Sequence, residues 1–238
     1  MAFTNSPLVS YTRISPYSGG RKGHNIDTIT IHCSAAQAAV ETLGRLFQTK
    51  AASANYGIGP DGRVGMYVEE KNRSWATSDG ENDRRAVTIE VACENRHPYR
   101  VNDAAYKTLL DLVTDICRRN DIKKLVWSTS KADRVNHKNG CNMTVHRDYE
   151  NKACPGQWLY ERHGQIAAEV NKRLTEDEEM VRWNKIEDVP EGYREMAQRY
   201  IDAGALKGKG NGEIDLSEDM IRVMEIMRRY FESMMEGK

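Results

Sequence analysis

His32, His146 and Cys154 are the residues of this chain whose types and spacing most directly suggest chemistry. Two imidazole nitrogens and one thiolate sulfur form a donor set suited to zinc. Three protein ligands leave the fourth tetrahedral position open to water, which marks a reactive ion and not a structural one. His146 and Cys154 stand eight residues apart in TVHRDYENKACPG, the reach of a loop folding back around one ion. His32 lies 114 residues before His146, in ITIHCSA, so the tertiary fold must deliver it. Cys154 precedes Pro155, which biases it to extended backbone, and a helix is expected to follow. A nearby helix N-terminus favours the thiolate. Two neutral imidazoles and a thiolate would leave zinc a net charge of about +1, and a bound water whose pKa falls to about 7. A closed structural site would need a fourth protein ligand, for which Cys141 is the nearest candidate. The remaining thiols, Cys33, Cys93 and Cys117, form no CxxC pair and read as small buried apolar residues.

The elements that must carry these groups are legible from periodicity. Residues 27–33 (DTITIHC) and 86–93 (AVTIEVAC) are β-branched runs and read as buried strands. Alternation across a strand puts His32 and Cys33 on opposite faces, so a His32 facing a cleft leaves Cys33 facing the core. Val40, Leu43 and Phe47 mark a helix over 38–48, and SANYGIGPDGRVGMYVEE a hairpin turning at Pro60-Asp61-Gly62. NDAAYKTLLDLVTDICRRND is an amphipathic helix capped by Asn102 or Asp103, with Leu109, Leu112, Val113 and Ile116 as its stripe. KKLVWST predicts a short strand, 129–145 an irregular loop, and 156–174 a last helix with Pro155 in its first turn. His24, His97, His137 and His163 read as surface residues. Strands interleaved with helices predict an α/β fold, a mixed central β-sheet flanked by helices.

The chain has 238 residues, with 35 Lys+Arg balanced by 35 Asp+Glu. Zero net charge gives no global basic field, so no nucleic-acid partner is expected. A mean hydropathy of −0.72 and no long apolar run exclude membrane insertion by a spanning helix. The first residues, MAFTNSPLVSYTRISPYSGGRKG, contain no apolar core of signal-peptide length.

IHCSA, SANYGIGPDGRV, EEKNRSWA, NDRRAVTIE and TVHRDYENKACPG stand in that order, and over about 20–174 the chain resembles zinc-dependent N-acetylmuramoyl-L-alanine amidases of type 2. That class includes phage lysozyme-amidases and is related to peptidoglycan recognition proteins. The resemblance implies zinc on His32, His146 and Cys154, a strand-end general base at Glu90, and an oxyanion-stabilising lysine at Lys152. Some members carry a tyrosine where this chain has Ala54, and others a histidine where it reads Ser74-Trp75-Ala76-Thr77. The base role therefore falls to Glu90, and Tyr56 does not inherit it. Asn55, Tyr56, Trp75 and Arg147 are the candidate substrate contacts. The implied activity is hydrolysis of the bond between N-acetylmuramic acid and L-alanine of peptidoglycan by a phage or prophage endolysin. Such an enzyme is made in the cytoplasm and reaches the wall after release through holin or lysis. A muropeptide-recycling amidase and a non-catalytic peptidoglycan-binding protein are the alternatives; Cys154 argues against the latter.

These readings divide the chain into a catalytic domain (1–174), an acidic linker (175–180) and a small helical module (181–238). The module is expected to hold helices at 181–206 and 217–235, with Ile201, Leu206, Ile221, Met224, Met227 and Phe231 as its apolar positions. Its DAGALKGKGNG stretch is similar to half of a surface-layer-homology repeat, which implies contact with a wall polymer or self-association.

Overall fold

The β-branched runs become neighbouring strands of one sheet. In this computed structural model the structure describes residues 3–179, 181–210 and 212–236, with side chains for 3–175, 181–210 and 212–234. The strands are β1 (Val9–Thr12), β2 (Ser18–Gly20), β3 (Thr28–Cys33), β4 (Tyr56–Ile58), β5 (Val64–Met66), β6 (Asn72–Ser74), β7 (Ala86–Val91) and β8 (Met143–Thr144). Six of them form the central sheet in the order β1-β5-β4-β7-β3-β8; β2 and β6 pair separately. The β4–β5 hairpin is antiparallel, while β1–β5, β4–β7, β7–β3 and β3–β8 are parallel, so the sheet is mixed.

Helices cover both faces. α1 (Val40–Thr49) buries Val40, Leu43 and Phe47, and packs Leu43 and Phe47 with Ala54 and Tyr67. α2 (Gly80–Arg85) begins at Asp79, whose carboxylate accepts from the Asn82 amide and so satisfies one of the free N–H groups of the first turn. α3 (Asp103–Arg119) is capped in the same way by Asn102, and its Leu109, Leu112, Val113 and Ile116 are fully buried. Together with Leu159, Ile166 and Val170 of α5 (Gln157–Glu179) they pack on Ile29, Ile31, Val87 and Ile89 in the main core.

The other sheet face is buried without being apolar. Thr30 and Thr144 share a hydrogen bond of 2.7 Å, the Thr144 hydroxyl donates to Asn82 Oδ1, and Thr88 bonds Ser74 and Asn55. Alternation thus survives in β3 and β7, but it divides an apolar core from a polar one, and all six residues of β3 are buried.

Three expectations are corrected here. KKLVWST forms no strand: Val126 N–H donates to the Asn142 side chain and Leu125 N–H to Asn171, so side chains take the place of a ladder. The stretch 129–145 is not irregular, because it contains α4 (Lys131–Val135), a 3-10 turn (Lys138–Gly140) and β8. Pro155 lies outside the last helix. Gly156 intervenes with φ +79°, where a Cβ would come within 2.7 Å of Tyr99 Cβ, and α5 starts at Gln157.

The chain divides into two compact units, Met1–Leu174 and Thr175–Lys238. The backbone of 175–179 continues α5 as helix; Met180, the last residue of the expected linker, lies outside the described residues. In the second unit residues 181–190 are not helical. They hold β9 (Arg182–Trp183) and a 3-10 turn (Ile186–Asp188), followed by α6 (Glu191–Asp202). β10 (Leu216–Ser217) pairs antiparallel with β9, and α7 (Glu218–Glu236) ends the unit. Val189, Met196, Ala197, Leu216 and Ile221 form its core, with Leu206 and Met224 packed against it. Ile201, Met227 and Phe231 do not join that core; the last two are 46% and 56% exposed.

Candidate active site

His32 and Glu90 meet because β3 and β7 run parallel in register, which makes them direct partners at the C-terminal ends of both strands. Partnered residues of a parallel ladder leave the sheet on one side. Neither Arg84 nor Arg85 neutralises Glu90, since Arg85 grips Asp27 and Arg84 pairs with Glu81. Burial raises the Glu90 pKa above its ordinary value and the neighbouring His32 opposes that rise. Burial lowers the His32 pKa; Glu90 works against the shift and His146 adds to it.

His146 and Cys154 arrive on the loop after β8. A 3-10 turn (His146–Asp148) opens that loop, and Asp148, its last residue, is clamped by Arg134 of α4 in a bidentate pair at 2.8 and 2.6 Å. Both side chains of this pair are almost fully buried. The Arg134 guanidinium also lies over the Trp127 ring, 4.5 Å from its centroid. At the other end of the loop Arg147 donates to the carbonyls of Ala153 and Cys154 and stacks on Tyr160. The backbone before and at the thiol is thereby tied to the segment that carries His146.

The three donors converge. Ligand atoms of His32, His146 and Cys154 all lie within 4.8 Å of one another, and Cys154 Sγ is 3.3 Å from His32 Nδ1. Two ligands of one tetrahedral zinc, at about 2.1 and 2.3 Å from the ion, stand roughly 3.5 Å apart. The pair therefore matches a shared ion with His32 Nδ1 as one donor, and the buried Nε2 of His146, which makes no hydrogen bond, is available as a second. Among the described residues no fourth ligand joins the group. Cys141, the candidate for a closed site, is buried with its thiol toward the Met143 carbonyl.

A cleft of about 340 Å³ opens over this cluster. His32, His146, Cys154, Glu90, Lys152 and Trp75 all line it, and so does Cys33, which alternation places on the core face and which packs in the core as well. Lys152 is exposed on its rim, with Nζ 3.7 Å from Glu150, and Glu150 lies 3.5 Å from His146 Nε2. Three converging donors, a half-buried carboxylate and a long-armed cation on one cleft are the kinds of group that metal-assisted hydrolysis uses.

Of the expected substrate contacts, only Trp75 faces the cleft, 39% exposed. Asn55 has no exposure; its amide donates to the Val68 and Asn72 carbonyls and its oxygen accepts from Thr88 N–H. Tyr56 is equally buried, with its hydroxyl donating to Glu70 and accepting from Ser6 N–H. Both hold the sheet together and neither reaches a ligand. Arg147 donates to the carbonyls of its own loop, so in this structure it positions Cys154. His163 is no surface residue either. It is fully buried, Nδ1 bonded to the Leu159 carbonyl, its ring 4.5 Å from that of Trp127.

Sequence reasoning missed Asp83 and the Arg134–Asp148 pair. Asp83 accepts from Thr77 Oγ1 at 2.6 Å and from the Ala76 and Thr77 amides, fixing the loop that displays Trp75. Its only trace in the sequence is a charge inside the NDRRAVTIE motif.

A sequence profile described as N-acetylmuramoyl-L-alanine amidase matches residues 22–157, more than half of the chain. No curated protein gives a significant sequence match. Among solved structures, the fold is similar to that of AmpD, seen as a selenomethionine derivative: 17% identity, TM-score 0.51, over 70% of this chain and 99% of that one. It is also similar to the endolysin N-acetylmuramoyl-L-alanine amidase LysCS from Clostridium intestinale URNW: 17% identity, TM-score 0.50, over 68% of this chain and 93% of that one. At these identities the likeness is one of fold.

Proposed function

The chain belongs to the N-acetylmuramoyl-L-alanine amidase family, and from that premise we propose that it cleaves the muramoyl–L-alanine bond of peptidoglycan with zinc held by His32, His146 and Cys154. The observation that carries this reading is the convergence of those three donors, with Glu90 in register beside them, on one open cleft. Zinc in this donor set would act as a Lewis acid toward the attacking water and the scissile carbonyl.

The chain's own residues supply the rest. Glu90, whose burial makes it a stronger base than an ordinary carboxylate, takes the proton of the attacking water and returns it to the leaving alanine nitrogen. Lys152 on the rim donates to the oxyanion of the tetrahedral intermediate, a charge absent from the ground state. Trp75 offers an aromatic wall to the sugar or stem peptide. Incubation with purified sacculi, followed by mass analysis of the released material, tests the reading. Stem peptides with free L-alanine N-termini and uncut sugars are expected; cut glycosidic bonds, or no release, would refute it.

Within the family we favour a wall-degrading role as an endolysin over recycling of soluble fragments. A recycling enzyme has no use for the second compact unit, Thr175–Lys238. That unit would bring the catalytic one to its polymeric substrate, by contact with a wall polymer or by self-association. A higher rate on sacculi than on soluble muropeptides is expected, and the reverse preference would favour recycling.

A further inference from the structure

Among the described residues, one face of α7 is unpartnered in a patterned way. In its first turns Ile221 and Met224 anchor the helix to the core of the second unit. Away from that core, Met220, Val223, Ile226, Met227, Tyr230, Phe231 and Met234 are between 40% and 66% exposed. Met220, Val223, Met227, Tyr230 and Met234 follow one another at spacings of three, four, three and four. That is the 3.5-residue period of a seam between supercoiled helices. Ile226 and Phe231 border and widen the stripe.

We propose that this stripe is a homodimerisation surface, on which α7 packs against α7 of a second copy of the chain. The proposal refines the association role given above to 181–238 and is independent of the amidase site. Three observations select the occupant. First, the period suits another helix of the same pitch, and a two-fold axis brings the stripe onto itself. Second, seven large side chains at such exposures present roughly 700 Å² of apolar surface per copy, beyond the largest patch of a typical monomer; two copies clear the roughly 1,000 Å² a specific interface needs. Third, apart from Asp219 in the first turn, the charges lie off the stripe and many pair within the helix: Arg228 with Glu225 and Glu232, Arg229 with Glu225, and Arg222 with Glu218. The stripe therefore offers no cation to an anionic wall polymer and few hydrogen-bonding groups to a glycan.

The test is the mass of the full-length protein by sedimentation velocity across a wide concentration range. A species of twice 27.1 kDa is expected. The double substitution Ile226→Glu/Tyr230→Glu, at two exposed positions, should give a monomer with unchanged helical circular dichroism and unchanged turnover of a soluble muropeptide. A wild-type protein monomeric throughout, or a double variant that remains dimeric, would overturn the proposal. A monomer whose binding to sacculi depends on Ile226 and Tyr230 would also overturn it and assign the stripe to the wall. An assembly larger than a dimer would rule out the two-stranded form. Because the readout is mass, a failure of the amidase reading has no bearing on whether the dimer forms.

Discussion

His32 and Glu90 are direct partners across the parallel β3–β7 ladder, so the proposed metal donor and the proposed base share one sheet face with no loop between them. Rigid strands hold such a pair more tightly than loops do. Glu90→Gln preserves the size of the side chain and removes only its basicity. It should lower kcat by about 10²–10⁴-fold, the usual worth of a general base. Zinc content, measured by atomic absorption, should stay at the wild-type level. Full activity in this variant would move the base elsewhere.

Cys154 contributes the only sulfur of the donor group, 3.3 Å from His32 Nδ1. Cys154→Ser keeps the shape and weakens the ligand, since a hydroxyl stays protonated where a thiol ionises. The expected outcome is loss of stoichiometric zinc on dialysis together with loss of sacculus hydrolysis. Retained zinc with retained activity would exclude the site described above.

The Arg134–Asp148 pair anchors the turn that carries His146, and its side chains are 3% and 1% exposed. Removing one partner leaves an uncompensated buried charge, which costs about 3–5 kcal/mol. Arg134→Met should therefore shift urea unfolding strongly. The double substitution Arg134→Met/Asp148→Leu should recover part of the loss, because no charge is then stranded. Equal destabilisation of the single and double variants would show that packing of Arg134 on Trp127 dominates.

Burial, only partly offset by the Leu159 carbonyl and Asp148, holds the His163 pKa at about 4, below its ordinary 6.5. Between those values the unfolded chain binds a proton that the folded chain refuses. Stability from this residue is thus intact above pH 6.5 and is lost as pH falls toward 4, by an amount on the order of 3 kcal/mol. Urea unfolding of wild type and His163→Leu, each at neutral and at acidic pH, isolates the effect, since all other groups are common to both. Wild type should lose more stability on acidification than the variant. Equal losses would mean that His163 already takes up a proton in the folded state.

Much of this architecture is legible in one dimension. The β-branched alternation of TITIHC and AVTIEV, the stripe of α3 and the Pro60-Asp61-Gly62 turn each report a local preference, and the structure realises all of them. The donor types His32, His146 and Cys154 are equally plain, because few residues bind zinc and their neighbourhoods are distinctive. Asn55 and Tyr56 are not. They read as groove residues, yet a polar group on a strand can face a ligand or a buried network, and the choice lies with Thr88, Val68 and Glu70, well away in the chain.

The same holds for Arg147, His163, β8 and the stripe of α7. The sequence by itself determined the principal strands and helices, their apolar stripes and which donors exist. Only the tertiary structure decided which polar atoms are already satisfied, which apolar face stays uncovered, and that three donors 114 and eight residues apart come within 4.8 Å. Periodicity records whether a side chain prefers burial; the identity of its partner depends on long-range packing, which no local pattern encodes.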